Sequence, residues 1–333
     1  MKFASARSGK VVIEEMETPK LNDGDILVRM KACGICGSDL EKVYGSYGMA
    51  SKRIGHEIAG EVVETKSDSF IKGDRVFVHH HVPCYDCYYC KHGDYILCPD
   101  YQKSNVEPCG LAEYIRVPKW NVEKGGVIKI PDSMTFEESA LAEPLACCMK
   151  AINKIGTIEN AAVIGAGPAG LMNAMLLKAS GSDVFLIDTN DFRLDFAQKY
   201  DLIGINAKDD VANIIKDATE GLGVDAVVVA TGNVRALDQS LGIVRKGGKI
   251  MIFGVPSKGS LLNFDANRLF SNEIQILTSG YCSELETKVA LKIIENKTID
   301  VESLITHRFP LDKAPEAFDL AHRGEGMKVV VTG

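Results

Sequence analysis

Nowhere in the 333-residue chain is there an apolar run approaching the roughly 20 residues that span a bilayer. No block of lysines and arginines occurs either. The 38 basic and 45 acidic side chains leave a formal charge of −7, a mild acidity that argues against a nucleic-acid partner. The opening residues, Met1-Lys2-Phe3-Ala4-Ser5-Ala6-Arg7, lack the apolar core of a signal peptide and lead directly into strand-like sequence. Internal repeats and low-complexity tracts are also missing. The expectation is a cytoplasmic protein that partners neither membrane nor nucleic acid. In that compartment the ten cysteines stay reduced, so clustered cysteines read as metal ligands rather than as disulfides.

What is present is ordinary for a globular protein: 46% hydrophobic and 25% charged residues, in a chain long enough for two cores. Residues 1 to 130 read as β-rich, with short runs at Lys10–Glu14, Asp25–Lys31, Glu57–Glu64, Arg75–His79 and Ala112–Val117 separated by Gly, Pro, Asn and Asp. That punctuation suggests a barrel or partly open sandwich. From Pro131 the pattern changes. Glu137–Ile155 reads as one helix, after which strands and helices alternate. Ala161–Ile164, Asp183–Asp188, Val224–Ala230, Lys249–Val255 and Glu273–Leu277 are the expected strands, and Ala169–Ser180, Asp191–Tyr200, Asp210–Glu220 and Ala236–Arg245 the expected helices. This is the pattern of a doubly wound parallel sheet, an α/β fold. An amphipathic helix at Leu285–Asn296 and a strand at Lys328–Thr332 close the chain.

Three constellations carry chemistry. Cys84, Cys87, Cys90 and Cys98 fall in one short loop, and four thiolates there form a closed tetrahedral shell suited to a structural Zn2+. Gly165-Ala166-Gly167-Pro168-Ala169-Gly170 is a G-x-G-x-x-G turn between an expected strand and helix. Its glycines admit a pyrophosphate to the positive end of the helix, and Asp188, at the end of the next strand, suits the ribose hydroxyls of NAD. Arg193 is the one nearby base that could reach a 2′-phosphate. The third constellation is dispersed: Cys36 with Ser38, His56 with Glu57, and Glu143. A thiolate, an imidazole and a carboxylate would make a three-ligand zinc site with one open position. Each piece also has a plain structural reading, as a core cysteine, a hydrogen-bonded strand histidine and a first-turn glutamate ahead of Pro144. Spacing alone does not choose between them.

The pieces, in this order, resemble the zinc-containing medium-chain dehydrogenase/reductase family over nearly the whole chain. Cys36-Gly37-Ser38-Asp39 is similar to its ligand loop and Gly55-His56-Glu57 to its G-H-E element. The segment Thr306-His307-Arg308-Phe309-Pro310-Leu311 and Glu143-Pro144-Leu145 resemble the polyol and threonine dehydrogenase branch. The departures are Glu41 where a proton-exit histidine is common, Cys109 where a glycine is common, and Gly280 where sorbitol-acting members tend to carry arginine beside the residue matching Tyr281.

The resemblance implies a GroES-like catalytic domain over 1–147, completed by 285–333, and a Rossmann domain over 148–284. It implies two zinc ions per chain, NAD, and a hydride taken from a secondary alcohol on a polyol, sugar or related compound. Zinc would act as Lewis acid on the substrate hydroxyl, and Ser38 would pass its proton outward. Cys36, His56, Glu57 and Glu143 are the candidate catalytic-zinc residues, with the choice between the two glutamates open. Lys328 resembles a basic residue that reaches the pyrophosphate, with a surface lysine as the alternative. L-threonine 3-dehydrogenase and sugar-phosphate alcohol dehydrogenase are the nearest competing activities. A non-catalytic zinc- and nucleotide-binding protein is the competitor of another class, opposed by the presence of Cys36, Ser38, His56 and both glutamates. His79, His80 and His81 cannot all face one metal on a strand and read as mainly structural. An apolar edge strand at Glu273–Leu277 suggests a homo-dimer or homo-tetramer.

Overall fold

A computed structural model describes residues 1–45, 52–262 and 264–333. In chain order the first part forms β1 (Lys2–Arg7), β2 (Lys10–Glu15), β3 (Ile26–Gly34), α1 (Gly37–Tyr44), β4 (Glu57–Thr65), β5 (Arg75–His79), α2 (Tyr88–Lys91), β6 (Tyr114–Val117), α3 (Lys119–Glu123), β7 (Val127–Lys129), α4 (Phe136–Ala140) and α5 (Ala142–Ile155). The helix expected over 137–155 is thus two. Pro144 has no N–H to give the carbonyl of Ala140, and its ring crowds that carbonyl, so the helix stops at Leu141 and restarts.

There follow β8 (Asn160–Ile164), α6 (Pro168–Ala179), β9 (Asp183–Asp188), α7 (Asp191–Ala197), β10 (Ile203–Asn206), α8 (Val211–Ala218), β11 (Val224–Val229), α9 (Val234–Ile243), β12 (Val244–Ile252), α10 (Ala266–Ser271) and β13 (Gln275–Thr278). The chain ends with α11 (Glu284–Glu295), β14 (Ile305–Pro310), α12 (Ala314–Arg323) and β15 (Lys328–Thr332). Among the described residues no helix is long and apolar enough to cross a membrane.

The chain divides into two units, residues 1–146 with 281–333 and residues 147–280. The return point lies at Tyr281 rather than 285, because the Cys282 carbonyl already accepts from the Tyr101 hydroxyl at 2.5 Å inside the first unit.

In that first unit a mainly antiparallel sheet runs β14-β15-β3-β4-β5-β7, with β6 on β3, and β1 pairs with β2 as a hairpin. The hairpin turn, Ser8-Gly9, has both residues left-handed (φ 47° and 75°), the twist that two-residue hairpins require. Alternate residues of the sheet, among them Ile26, Val28, Met30, Ile58, Val62, Val76 and Val78, fill one core with Ile115, Phe318 and Val331. Registers Gly34↔Glu57 and Gly34↔Val330 bring the end of β3, the start of β4 and β15 side by side. The second unit is a six-stranded parallel sheet, β10-β9-β8-β11-β12-β13. Strand order reverses between β8 and β11, the switch point where open α/β sheets take their ligands.

Candidate active site, zinc lobe and nucleotide turn

Beyond β5 the chain leaves the sheet for a lobe whose buried core is only Cys90, Cys98 and Tyr101, with Cys84, Cys87, Tyr95 and Ile96 packed around them. So little apolar area cannot order a loop of this length. A metal would. Cys84, Cys87, Cys90 and Cys98 are unbridged thiols whose sulfurs all lie within 4.8 Å of one another. The Cys84–Cys90 and Cys87–Cys90 sulfur separations are 3.9 and 3.5 Å. Four sulfurs at about 2.3 Å from a tetrahedral zinc stand about 3.8 Å apart, so the residues fit the ion. The amides of Asp86 and Cys87 donate to the Cys84 sulfur at 3.4 and 3.3 Å and draw its pKa down to about 7, toward the thiolate a metal needs.

The second cluster is built where β3 and β4 meet. Cys36 caps α1 at its N-terminus, and Ser38 and Asp39 lie on that helix's first turn. Gly55 turns the chain into β4 at φ +82°, where a Cβ would stand 2.6 Å from the Leu111 side chain. His56 and Glu57 follow at the head of the strand. The donor atoms of Cys36, His56 and Glu57 converge within 4.8 Å of one another, a thiol, an imidazole and a carboxyl that fit a zinc with an open position. Asp39, fully buried, lies 3.1 Å from His56 Nδ1 and 3.1 Å from the Lys42 ammonium. Burial works against the Asp39 charge, but His56 and Lys42 more than offset it and hold its pKa below the carboxylate norm. An imidazole so held turns its other nitrogen to the metal position.

Glu143, near the start of α5 and 5% exposed, does not join that trio; the Cys282 thiol lies 3.9 Å from its Oε1. Ser38 is half-buried, two residues beyond Cys36. Lys328 is not a surface lysine. Its ammonium is buried against Glu57 at 2.6 Å and donates to the Ile35 carbonyl at 2.9 Å. That arrangement offers no support for a role at a pyrophosphate.

The three histidines meet different partners, and only His79 lies within β5. His79 is buried, with Nε2 3.2 Å from the Cys282 carbonyl and Nδ1 3.3 Å from the Thr287 hydroxyl, and burial lowers its pKa to about 3. His81 meets the Ser104 carbonyl at 2.5 Å. His80 alone turns toward the metal cluster, its ring 5.2 Å from that of His56. Sequence reasoning assigned nothing to Lys42 and no partner to Asp39. The available signal is an acid within the ligand loop, three residues before a lysine.

In the second unit, β8 passes into α6 through Gly165 at φ +100°. A Cβ on Gly170 would lie 1.7 Å from the Gly165 carbonyl oxygen, so only glycine lets the helix close on the turn. Gly167 is the N-cap with no side chain to fill that role, and Pro168 takes the first helical position, leaving the amides of Ala169 and Gly170 for an anion. A Cβ on Gly167 would meet only Arg193 Nη1, at 3.8 Å. Asp188 accepts from the amides of Ala166 and Asn190 at 2.6 and 2.9 Å, and Arg193 lies 3.8 Å from its carboxylate. The turn, helix end and acid fit a dinucleotide.

Residues 22–132 match the alcohol dehydrogenase GroES-like domain, and residues 168–296 match the zinc-binding dehydrogenase domain. Sorbitol dehydrogenase of Bacillus subtilis (strain 168) is 33% identical over 97% of this chain and 94% of its own. The chain belongs to the zinc-containing medium-chain dehydrogenase/reductase family. D-arabitol-phosphate dehydrogenase of Enterococcus avium is 29% identical over 95% of this chain and 92% of its own. Alcohol dehydrogenase TADH from Thermus sp. ATN1 superposes with a TM-score of 0.91 at 27% identity, covering both chains fully. This member of the family is accordingly an alcohol dehydrogenase that works with zinc and a nicotinamide cofactor, on a GroES-like unit joined to a Rossmann unit.

Proposed function

We propose that the enzyme oxidises a secondary alcohol on a small polyol, sugar or sugar derivative, with NAD as acceptor and two zinc ions per chain. The observation that carries this is the convergence of Cys36, His56 and Glu57, separate from the all-thiol lobe. Zinc, when bound there, supplies Lewis acidity toward the substrate oxygen, and the nicotinamide supplies the hydride acceptor. The protein's own residues do the rest. Asp39 orients His56, and Ser38 accepts the hydroxyl proton and passes it outward. Of the two candidate glutamates, Glu57 is assigned to the metal and Glu143 to its surroundings. The four lobe thiols hold the other ion.

NAD is the assigned cofactor because Asp188 stands where a 2′-phosphate would lie, and like charges in a partly desolvated site cost on the order of several kcal/mol. Arg193 is turned to that carboxylate, which supports its serving Asp188 rather than a phosphate. A cytoplasmic location agrees with an all-thiol ligand set. β13, at the end of its sheet near the exposed Phe270, is assigned to pairing with a second copy. A single monomeric species in light scattering at micromolar concentration would overturn that assembly.

The decisive experiment is a panel of polyols, aldonates, sugar phosphates and threonine, followed at 340 nm with NAD and with NADP. Turnover of a polyol or sugar derivative with a strong NAD preference in kcat/KM is expected. Preference for threonine, equal use of both cofactors, or no turnover of any member would refute the corresponding part.

A further inference from the structure

The C-terminal strand carries a buried lysine. Lys328 opens β15, and its ammonium lies 2.6 Å from each oxygen of Glu57 and 2.9 Å from the Ile35 carbonyl. The two side chains are 3% and 0% exposed. Burying such a pair costs several kcal/mol per ion, and an apolar pair of the same volume commonly does as well for stability. The surroundings are shaped for the pair nonetheless. Gly34, between them in the sheet, has no side chain, and a Cβ there would stand 1.8 Å from Glu57 Oε2 and 3.0 Å from Lys328 Cε. One partner, Glu57, also belongs to the cluster with Cys36 and His56.

We propose that Lys328 is a positioning residue for the catalytic metal site, competing with the metal for the Glu57 carboxylate and so keeping that ligand exchangeable. This rests on the assignment of Glu57 to zinc made above. A carboxylate hydrogen-bonded through one oxygen to a buried ammonium is a weaker donor than a free one, and it can yield when a substrate hydroxyl arrives. Without the ammonium, a buried Glu57 loses its hydrogen-bonded counter-charge and would be held more firmly by the metal.

The test uses the full-length protein with Co2+ in the Cys36 site, without substrate or cofactor. Lys328→Met should weaken the visible d–d bands as coordination rises, and should slow metal release to a chelator by roughly tenfold, a change of the size, but opposite in sign, that follows the loss of a partner that supports a metal ligand. Lys328→Arg should restore both toward the unsubstituted protein. Gly34→Ala, whose new methyl group drives Glu57 out of the pair without altering any charge, should also change the spectrum, and it serves if Lys328→Met does not fold. Spectra and release rates in Lys328→Met and Gly34→Ala equal to those of the unsubstituted protein would overturn the proposal while leaving the zinc assignment intact. An unsubstituted chain that takes up no cobalt sensitive to Cys36→Ser would instead overturn the zinc assignment, and this inference with it.

Discussion

Glu284 gives the sharpest stability prediction because it is a buried acid outside the metal chemistry. It is the first residue of α11, 1% exposed, and its Oε2 has no hydrogen-bond partner among the described residues. Burial pushes its pKa from 4.5 up to about 7, against its own backbone amide and Lys288, which favour the charged form. The unfolded chain releases this proton near 4.5 and the folded chain only near 7. Between those values the folded state carries one proton more, so stability falls as pH rises, and above 7 the loss is complete. At 1.36 kcal/mol per pH unit the loss is about 3 kcal/mol. With an unfolding entropy of roughly 2.1 cal/mol/K per residue, that corresponds to about 4 °C for a chain of 333 residues melting as a whole. Glu284→Gln keeps the shape and removes the titration. In parallel melts of the two proteins from pH 5 to 8.5, the variant should match the unsubstituted protein near pH 5 and exceed it by about 4 °C at pH 8. A difference in Tm that stays constant over this range would refute the reasoning.

The two cysteine clusters should separate in elemental analysis and melting. Cys84→Ser should lose one zinc and its folded lobe together, while Cys36→Ser should keep the fold and the lobe zinc and lose turnover; normal turnover in Cys36→Ser would contradict the assigned centre. The glycines of the nucleotide turn should also differ from one another. Gly170→Ala, whose methyl group meets the Gly165 carbonyl at 1.7 Å, should lower Tm without cofactor, whereas Gly167→Ala should leave Tm nearly unchanged and weaken NAD binding, as titration calorimetry would show. Equal melting losses in both variants would contradict the geometry.

Local pattern reasoning reached furthest where one short segment carries its own signal. The β9 and β15 limits expected from sequence, Asp183–Asp188 and Lys328–Thr332, coincide with those in the structure, because apolar runs bounded by turn residues define their own ends. β14 carries no such signal. Its segment, Ile305-Thr306-His307-Arg308-Phe309-Pro310, reads as mixed polar sequence and becomes a strand through parallel pairing with β15. Pro144 signals the break at Leu141, but the long apolar period around it reads as one continuous helix.

The same division runs through the site. The cysteine lobe is contained in a few residues, and the glycine turn needs only its flanking strand and helix and Asp188 beside it, so short stretches of sequence suggest the chemistry each could hold. The Cys36, His56 and Glu57 cluster needs β3 and β4 to be neighbours, and its supports come from further still. Asp39 acts on His56 from seventeen residues away, and Lys328 reaches Glu57 from the other end of the chain. No local pattern encodes such a pairing, and for Lys328 resemblance pointed to a different partner. The sequence does carry one indirect trace of it. A glycine at the end of a mainly apolar strand, as Gly34 is in β3, lowers strand stability and is retained for room. That room is what the Glu57 carboxylate and the Lys328 methylenes occupy. A glycine in that register is therefore a sequence signal for a buried polar pair across the strand, readable only once the pairing of β3 with β4 and β15 is known.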